Sequence, residues 1–366
     1  MQGSRKKDQG RAETSLPFSP AEIAPLLLDW YGKEGRVLPW RQTRDPYRIW
    51  LSEIMLQQTT VAAVIGYYQR FLDNFPTVDH LAATPLETVI DLWAGLGYYA
   101  RARNLHAAAR RVVEDFSGNF PEELEELMTL PGIGRSTAGA ISALAFEKRA
   151  PILDGNVRRI LCRLFAWQEA PRSSRAEKQL WLWAELLTPR HRIHDYTQAI
   201  MDLGATVCTP RSPTCDACPL QGLCQARQLG LEQQLPLRQK GKKVPVRVES
   251  ALLVCRKDEI LVRRRPASGL LGGLWEFPTI TVPEGKTPAV QAERLLADLG
   301  GSGPLEPLGT IEHIYSHFRL ELHLFRANLS EQFLVAEEPG DWLPKYELKN
   351  LALHGAHKKG LKLLGG

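Results

Sequence analysis

Cysteine and long apolar runs are both scarce in this sequence. Its 366 residues include six cysteines, and no apolar stretch is long enough to cross a bilayer. The first twenty residues, MQGSRKKDQGRAETSLPFSP, lack the apolar core of a secretory signal. These absences argue against a membrane protein and against a secreted protein held together by disulfides. We expect an intracellular, cytoplasmic protein, with residues 1–20 as a disordered tail.

The composition that remains is that of a globular protein with a basic bias. A hydrophobic fraction of 44% is ordinary for a chain that buries a sizeable core, and 366 residues suffice for two domains. The formal net charge of +5 and the pI near 8.8 favour a polyanionic partner without indicating where it would bind.

The hydrophobic pattern changes once along the chain. Residues 21–230 show apolar positions at three- and four-residue steps, which predicts an all-α domain. Residues 231–246 are polar, basic and contain proline, as is typical of a linker. Residues 247–366 include strand-like segments, such as the alternating HFRLELHLF, and one helix-like segment, AVQAERLLADLG. The sequence therefore predicts a multi-domain protein with an all-α domain followed by an α+β domain.

Four of the six cysteines are concentrated in CTPRSPTCDACPLQGLC. The spacing between Cys208, Cys215, Cys218 and Cys224 is C-x6-C-x2-C-x5-C. Four thiolates so close together can surround one soft metal centre, and the spacing alone leaves both zinc and an iron–sulfur cluster open. Cys162 and Cys255 are expected to be ordinary buried residues.

The segment LMTLPGIGRSTAGAISALAF indicates two helices joined by a glycine turn. We expect one helix to end at Leu130 and the next to begin near Arg135. Gly132 and Gly134 would let the backbone approach a phosphate, and the amides of the following helix could hold its oxygens. This is the helix-hairpin-helix pattern of DNA-binding proteins, although an ordinary tight turn would also fit.

Two carboxylates stand in contexts that suggest catalysis. Glu53 lies in the apolar stretch YRIWLSEIMLQQTT, so it either reaches water at a helix edge or has a raised pKa, as a general acid requires. Asp154 directly precedes a helical pattern and could simply cap that helix. A protonated and an ionised carboxylate together suit cleavage of a glycosidic bond. With the hairpin to bind DNA, the pair indicates a base-excision glycosylase.

From about Pro39 to the end, the chain resembles the MutY family of adenine DNA glycosylases, which remove adenine mispaired with 8-oxoguanine. The resemblance rests on LPWR, WLSEIMLQQT, GLGYYARARNLH, LPGIGRSTAGAI, LDGNVRRIL, MDLGATVC, the cysteine loop, GLWEFP and YSHFRLELHLF, in that order. It implies a [4Fe-4S] cluster held by the four cysteines, in a loop whose Arg211 could face the DNA backbone. It also implies double-stranded DNA as the partner, a monomeric protein, and no role for a membrane.

The resemblance assigns roles to individual residues. Glu53 would protonate the adenine ring and later help to activate water, Asp154 would stabilise the cationic sugar, and Asn156 would orient the site. The adenine pocket would be lined by Trp40, Arg41, Leu56 and Gln198. Contacts to the oxidised guanine and its stack would come from Gln58 and Tyr98, with Thr59 and Leu96 nearby. Simple core packing is the alternative for Tyr98.

Ser136 distinguishes two reaction types. The related endonuclease III enzymes have a lysine at this place, which attacks the sugar, forms a Schiff base and breaks the strand. A serine is poorly suited to that step, so we expect a monofunctional glycosylase that leaves an abasic site. An endonuclease III-like enzyme acting on oxidised pyrimidines is the alternative within enzymes, and a non-catalytic DNA-binding protein is the alternative outside them.

The C-terminal domain resembles the Nudix hydrolases at LLGGLWEFP. Their signature helix needs glutamates that bind magnesium, whereas Arg294 and Ala297 replace two of them in the segment that ends at Gly300. We therefore expect a recognition domain without hydrolase activity. By resemblance, Ser316 and His317 would probe 8-oxoguanine, and Tyr315 stands where the family usually has Phe. A surface turn before a strand is the alternative for these residues.

Overall fold

The structure is a computed structural model, and it describes residues 16–237, 244–266, 269–315, 318–328 and 340–364. Contacts between Cα atoms divide the chain into two compact units. The first comprises Met1–Glu53 and Phe120–Gln239, and the second comprises Ile54–Asn119 and Lys240–Gly366. A helical segment from the middle of the chain thus belongs to the same unit as the C-terminal segment. No helix in the described part of the chain is both long and apolar enough to span a membrane.

Residues 16–237 are mainly helical, and the periodicity predicts helices over residues 21–230. In chain order the α-helices are α1 (Ile23–Glu34), α2 (Pro46–Leu56), α3 (Val61–Asn74), α4 (Val78–Ala83), α5 (Leu86–Trp93), α6 (Ala100–Phe116), α7 (Leu124–Leu127), α8 (Arg135–Phe146), α9 (Gly155–Leu164), α10 (Ser174–Leu187), α11 (Ile193–Asp202) and α12 (Gln225–Gln228). A π-helical turn, Leu203–Val207, follows α11. Short polar side chains cap several of these helices, for example Ser173, which accepts a hydrogen bond from the Ala176 N–H at 3.1 Å.

The core of the first unit surrounds α9. Leu27 of α1, Leu161 of α9, Leu180 of α10 and Ala199 of α11 are fully buried members of one apolar cluster. Burial on this scale fixes α9 from several sides, which holds its N-terminal end in place.

The C-terminal segment contains the predicted sheet. Its strands are β1 (Val246–Arg256), β2 (Glu259–Arg264), β3 (Trp275–Glu276), β4 (Thr279–Thr281), β5 (Glu306–Ile314), β6 (Arg319–Asn328) and β7 (Asp341–Pro344). The helices are α13 (Pro288–Asp298) and α14 (Gly355–Gly360). The strand order is β3-β2-β1-β6-β5, with β4 beside β1 and β7 beside β2. Strands β1 and β6 run parallel from Val246↔Arg319 to Cys255↔Asn328, and β5 pairs with β6 antiparallel.

The alternation of HFRLELHLF matches the sheet. Leu320, Leu322 and Leu324 are buried on one face together with Phe318. Phe325 and Ala327 are also buried, in the cluster on the other face that α13 covers with Leu295 and Leu296. Arg294 and Ala297 lie on the exposed side of α13, so the helix offers an arginine and a methyl group in place of two glutamates. As the sequence predicts, this helix lacks two of the glutamates that bind magnesium in the signature helix of Nudix hydrolases.

One predicted boundary is wrong. The helix before the glycine turn ends at Leu127 rather than at Leu130. Hydrogen-bonded turns replace the last helical residues, since the Thr129 N–H donates to the Glu126 carbonyl at 3.0 Å and the Leu130 N–H donates to the Leu127 carbonyl at 3.2 Å. Tightening of the last turn is common where a helix runs into a Pro-Gly pair.

Candidate active site

Glu53 lies on α2, beside Trp50, whose side chain is fully buried. Burial of the carboxyl group raises the pKa of Glu53 to about 7, the negative charge of Asp154 raises that pKa further, and the Arg41 guanidinium opposes the rise. A carboxyl group with this pKa is substantially protonated near neutral pH. Glu53 therefore has the protonation state that a general acid needs.

Asp154 caps the N-terminus of α9. Its Oδ1 accepts a hydrogen bond from the Val157 N–H at 2.8 Å, and its Oδ2 accepts one from the Asn156 side-chain amide at 3.2 Å. Burial raises the pKa of Asp154, while these two donors and the charge of Arg159 oppose that rise. Because these donors stabilise the carboxylate of Asp154, they favour the state with the proton on Glu53 and the charge on Asp154.

Two residues that the sequence did not reveal hold Asn156 in place. The Arg159 Nη2 donates to the Asn156 Oδ1 at 2.8 Å, which leaves the Asn156 amide nitrogen to face Asp154. The same Nη2 donates to the Gly204 carbonyl at 2.7 Å. A Cβ at Gly204 would lie 2.5 Å from the Cβ of Asn156, so this position requires glycine. Nothing in NVRRIL distinguishes Arg159 from its neighbour Arg158, so the sequence offered no signal for this role.

The glycine hairpin adjoins the same site. Gly132 has a φ of +80°, a backbone conformation that favours glycine, and Gly134 is the residue before α8. Ser136, in the first turn of α8, accepts a hydrogen bond from the Leu153 N–H at 3.0 Å. The hydroxyl at the position of the endonuclease III lysine therefore fixes the backbone immediately before Asp154.

The four cysteines converge on one cavity of the first unit. Cys208, Cys215, Cys218 and Cys224 all line it. Among the described residues, no three of these cysteines place their sulfur atoms within 4.8 Å of one another. Four thiolates around one cavity can hold either a tetrahedral zinc ion or an iron–sulfur cluster. Burial raises the pKa of Cys218 to about 12, so a bound metal centre would have to supply the positive charge that keeps the thiolate deprotonated.

Helix α9 connects the cysteine loop to the catalytic residues. The Arg159 Nε donates to the Cys208 carbonyl at 2.7 Å, and the Arg163 Nη1 donates to the Cys208 Sγ at 3.2 Å and to the Thr209 carbonyl at 2.8 Å. Arg159 thus contacts both Asn156 and the first cysteine of the loop. Ligation of the loop would therefore support the orientation of Asn156 through this side chain.

Two of the four residues predicted for the adenine pocket, Trp40 and Gln198, are buried in the first unit. Gln198 is 2% exposed, accepts a hydrogen bond from the Tyr31 hydroxyl at 3.1 Å and contacts the His194 Nε2 at 3.0 Å. Arg41 donates twice to Asp202, at 2.6 Å each, and Trp40 is 6% exposed. Leu56 is the last residue of α2, three positions after Glu53. Their role toward adenine stays a prediction.

Gln58 and Tyr98 lie in the second unit, on two turns with unusual backbone geometry. Gln58 has a φ of +58° and Tyr98 a φ of +51°, in the left-handed region that costs non-glycine residues about 1 kcal/mol or more. Both side chains are exposed, and Tyr98 keeps 44% of its surface accessible. Core packing is therefore not the role of Tyr98. Thr59 is partly exposed, and Leu96 is 7% exposed.

These two turns line a cavity of about 820 Å³ within the second unit. Its other walls come from the C-terminal segment and include His313, Tyr315 and Lys358. Cavities of this volume accommodate a ligand the size of a nucleotide. Ser316 and His317 lie outside the described residues, but the residues on either side of them are joined, because the Tyr315 N–H donates to the Phe318 carbonyl at 2.9 Å.

The hydroxyl of Tyr315, which a phenylalanine would lack, forms two polar contacts. The hydroxyl contacts the His354 Nδ1 at 2.9 Å and accepts a hydrogen bond from the Ala356 N–H at 3.4 Å. The ring stacks on Phe318 with centroids 4.8 Å apart. These contacts join the end of β5 to the residues that lead into α14.

Three family models match the chain, and together they cover most of it. Residues 51–185 match the HhH-GPD superfamily of base excision DNA repair proteins, residues 208–224 match the iron-sulfur binding domain of endonuclease III, and residues 250–363 match the NUDIX domain.

Curated relatives give the family of the whole chain. The adenine DNA glycosylase of Homo sapiens is 38% identical in an alignment that covers 93% of this chain and 73% of the relative. The adenine DNA glycosylase of Buchnera aphidicola subsp. Schizaphis graminum is 35% identical and is covered to 97% of its length. The chain belongs to the adenine DNA glycosylase family. Its fold agrees, because a solved thermostable thymine-DNA glycosylase superposes on 57% of the chain, and on 97% of its own, with a TM-score of 0.53 and 31% identity.

Family membership settles the choice that the cysteine spacing left open. The iron-sulfur model matches the segment from the first of the four cysteines to the last. The cofactor of this loop is a [4Fe-4S] cluster rather than zinc. Cys208, Cys215, Cys218 and Cys224 would hold the cluster, and its positive charge would keep their thiolates deprotonated.

Proposed function

We propose that this chain hydrolyses the N-glycosidic bond of adenine mispaired with 8-oxoguanine, and with guanine, in double-stranded DNA. The protein acts as a monomer and leaves an intact strand with an abasic site. The observation that carries this function is that the surroundings of Glu53 favour its protonated form, whereas those of Asp154 include donors that favour its carboxylate. Glu53 has a pKa of about 7, whereas hydrogen-bond donors that favour the carboxylate surround Asp154.

The two carboxyl groups divide the reaction between them. Glu53 donates its proton to a ring nitrogen of adenine as the bond between the sugar carbon and the base breaks, and the bonding electrons leave with the base. The sugar becomes an oxocarbenium ion, which the Asp154 carboxylate stabilises. Water then adds to the sugar carbon and transfers a proton to Glu53, which restores the acid for the next turnover.

A panel of opposing bases tests the substrate. With protein in excess, free adenine is measured over time from duplexes that carry adenine opposite 8-oxoguanine, guanine or thymine. We expect rapid release opposite 8-oxoguanine, slower release opposite guanine and little opposite thymine, because the normal pair resists extrusion of its base. Equal rates on all three duplexes would contradict recognition of the opposing base.

Ser136 predicts the fate of the strand. Because its hydroxyl accepts a hydrogen bond from the Leu153 N–H and is a poor substitute for an amine, no Schiff base should form. We expect strand breaks only after alkali, and no covalent protein–DNA adduct when the reaction is treated with borohydride. An adduct formed by the wild-type protein would reveal a lyase nucleophile elsewhere in the chain.

Ser316 is proposed to read the oxidised base. A serine hydroxyl can donate or accept, which lets it distinguish the altered edge of 8-oxoguanine from that of guanine. Ser316→Ala should lower the ratio of the rates opposite 8-oxoguanine and guanine by about tenfold, the equivalent of one lost hydrogen bond to a base. The exposed Ser302→Ala serves as the matched control. Equal losses on both duplexes would remove Ser316 from recognition.

A further inference from the structure

Arg101 is a buried cation that takes no part in the reaction proposed for Glu53 and Asp154. It lies in the first turn of α6, is 8% exposed, and has no ion pair with a carboxylate in the described part of the chain. Burial lowers the pKa of its guanidinium to about 10, which still leaves it charged near neutral pH. A buried charge must be solvated by dipoles, and here those dipoles are backbone carbonyls.

The guanidinium connects the two turns that carry Gln58 and Tyr98. On one side, its Nη1 donates to the carbonyls of Ile54 at 3.0 Å, Met55 at 2.8 Å and Gln57 at 2.6 Å, and its Nη2 donates to the Thr59 Oγ1 at 3.0 Å. On the other side, its Nη2 donates to the carbonyls of Leu96 at 3.3 Å and Gly97 at 3.1 Å. The same guanidinium carbon lies 5.4 Å from the centre of the Tyr98 ring.

These contacts have two physical consequences. The carbonyls of Ile54 and Met55 belong to the last turn of α2, where a positive charge favours the helix dipole, and α2 carries Glu53. The other contacts immobilise the residues beside Gln58 and Tyr98, both of which are in the left-handed region. Backbone of this kind persists only where surrounding contacts hold it.

We propose that Arg101 is the positioning residue that makes Gln58 and Tyr98 act on DNA as one rigid wedge. The inference rests on the proposed function, in which those two side chains enter the base stack. A planar guanidinium can bond to both turns at once, whereas a lysine ammonium acts as a single point charge with three donors. Arg101→Lys therefore keeps the charge but loses the bridge between the turns.

The test varies the stability of the base pairs that flank the mispair. The same 8-oxoguanine:adenine mispair is placed between G·C pairs or between A·T pairs, and adenine release is followed with protein in excess. Gln58→Ala and Tyr98→Ala show how loss of either wedge side chain changes the rate of adenine release from each duplex. Val89→Ala, which truncates a fully buried side chain of α5 in the same unit, reports the effect of lost stability alone.

We expect Arg101→Lys to slow release at least about tenfold more with G·C flanks than with A·T flanks, as Gln58→Ala and Tyr98→Ala do, since base extrusion is the step that needs the wedge. Val89→Ala should lower the melting temperature of the protein and slow adenine release from both duplexes equally. If Arg101→Lys behaves like Val89→Ala while the wedge variants depend on the flanks, Arg101 only stabilises the fold and the inference is wrong. If Gln58→Ala and Tyr98→Ala show no dependence on the flanks, the wedge itself is wrong.

Discussion

Asp154→Asn is expected to abolish adenine release while DNA binding and folding are retained. The amide cannot stabilise the cationic sugar as a carboxylate does, and loss of a preorganised charge of this kind slows a reaction by about a thousandfold or more. The substitution isolates the charge, because asparagine caps helices as well as aspartate and can still accept from the Val157 N–H. Single-turnover release of adenine and binding of an uncleaved duplex are the two measurements.

A cap variant elsewhere controls for the structural role of Asp154. Ser173→Ala removes the hydrogen bond that caps α10 and should lower the free energy of unfolding by about 1 kcal/mol without changing base release. Normal turnover by Asp154→Asn would show that Asp154 only caps α9 and takes no part in the chemistry.

The pH dependence of base release should follow the protonation of Glu53. Its pKa of about 7 lies above the ordinary value of 4.5, so the acid form that donates the proton predominates below pH 7. We expect the single-turnover rate to fall about tenfold for each pH unit well above 7, and to fall also in acid, where Asp154 takes up a proton. A rate that stays constant through pH 7 to 9 would contradict the role of Glu53 as the acid.

Glu53→Gln should separate activity from stability. It removes the acid, so base release should fall by about a hundredfold or more. The carboxyl group binds its proton more tightly in the folded state than in the unfolded state, so the free energy of unfolding falls as pH rises from about 4.5 to about 7. Glu53→Gln should therefore be more stable than the wild type at pH 8, by about 3 kcal/mol.

A second carboxyl group with a raised pKa provides the control for Glu53. Burial also raises the pKa of Glu249 in β1, so Glu249→Gln tests whether removal of any such group changes the pH profile. We expect Glu249→Gln to release adenine with the wild-type pH dependence. Thermal unfolding at pH 5 and pH 8 measures the stability of both variants.

The sequence was sufficient to find the residues whose chemistry is unusual for their surroundings. An acid within an apolar helical stretch identified Glu53, and four clustered cysteines identified the cluster loop. The alternating strand β6 and the helix α13 were also predictable, because each buries a periodic set of leucines on one or both faces of a sheet. Local pattern and chemistry carry this information without any knowledge of distant contacts.

Residues that act through contacts distant in the chain could not be identified from the sequence. Arg159 is one of two adjacent arginines in NVRRIL, and only the fold shows that it contacts Asn156, Gly204 and Cys208. Arg101 gives no signal in ARARNLH, because all but one of its acceptors are backbone carbonyls that any residue could supply. Composition also could not show that Ile54–Asn119 belongs to the same compact unit as the C-terminal segment, since that assignment depends on contacts across more than a hundred residues of chain.

The most direct test of the account is the identity of the product. Iron-loaded protein is incubated with a duplex that contains one 8-oxoguanine:adenine pair, and the released base and the strand are analysed from the same reaction. The account predicts free adenine in an amount equal to the abasic sites formed, with the phosphodiester backbone intact. No adenine release from a preparation that contains the cluster and binds the duplex would contradict it and leave the chain as a DNA-binding protein.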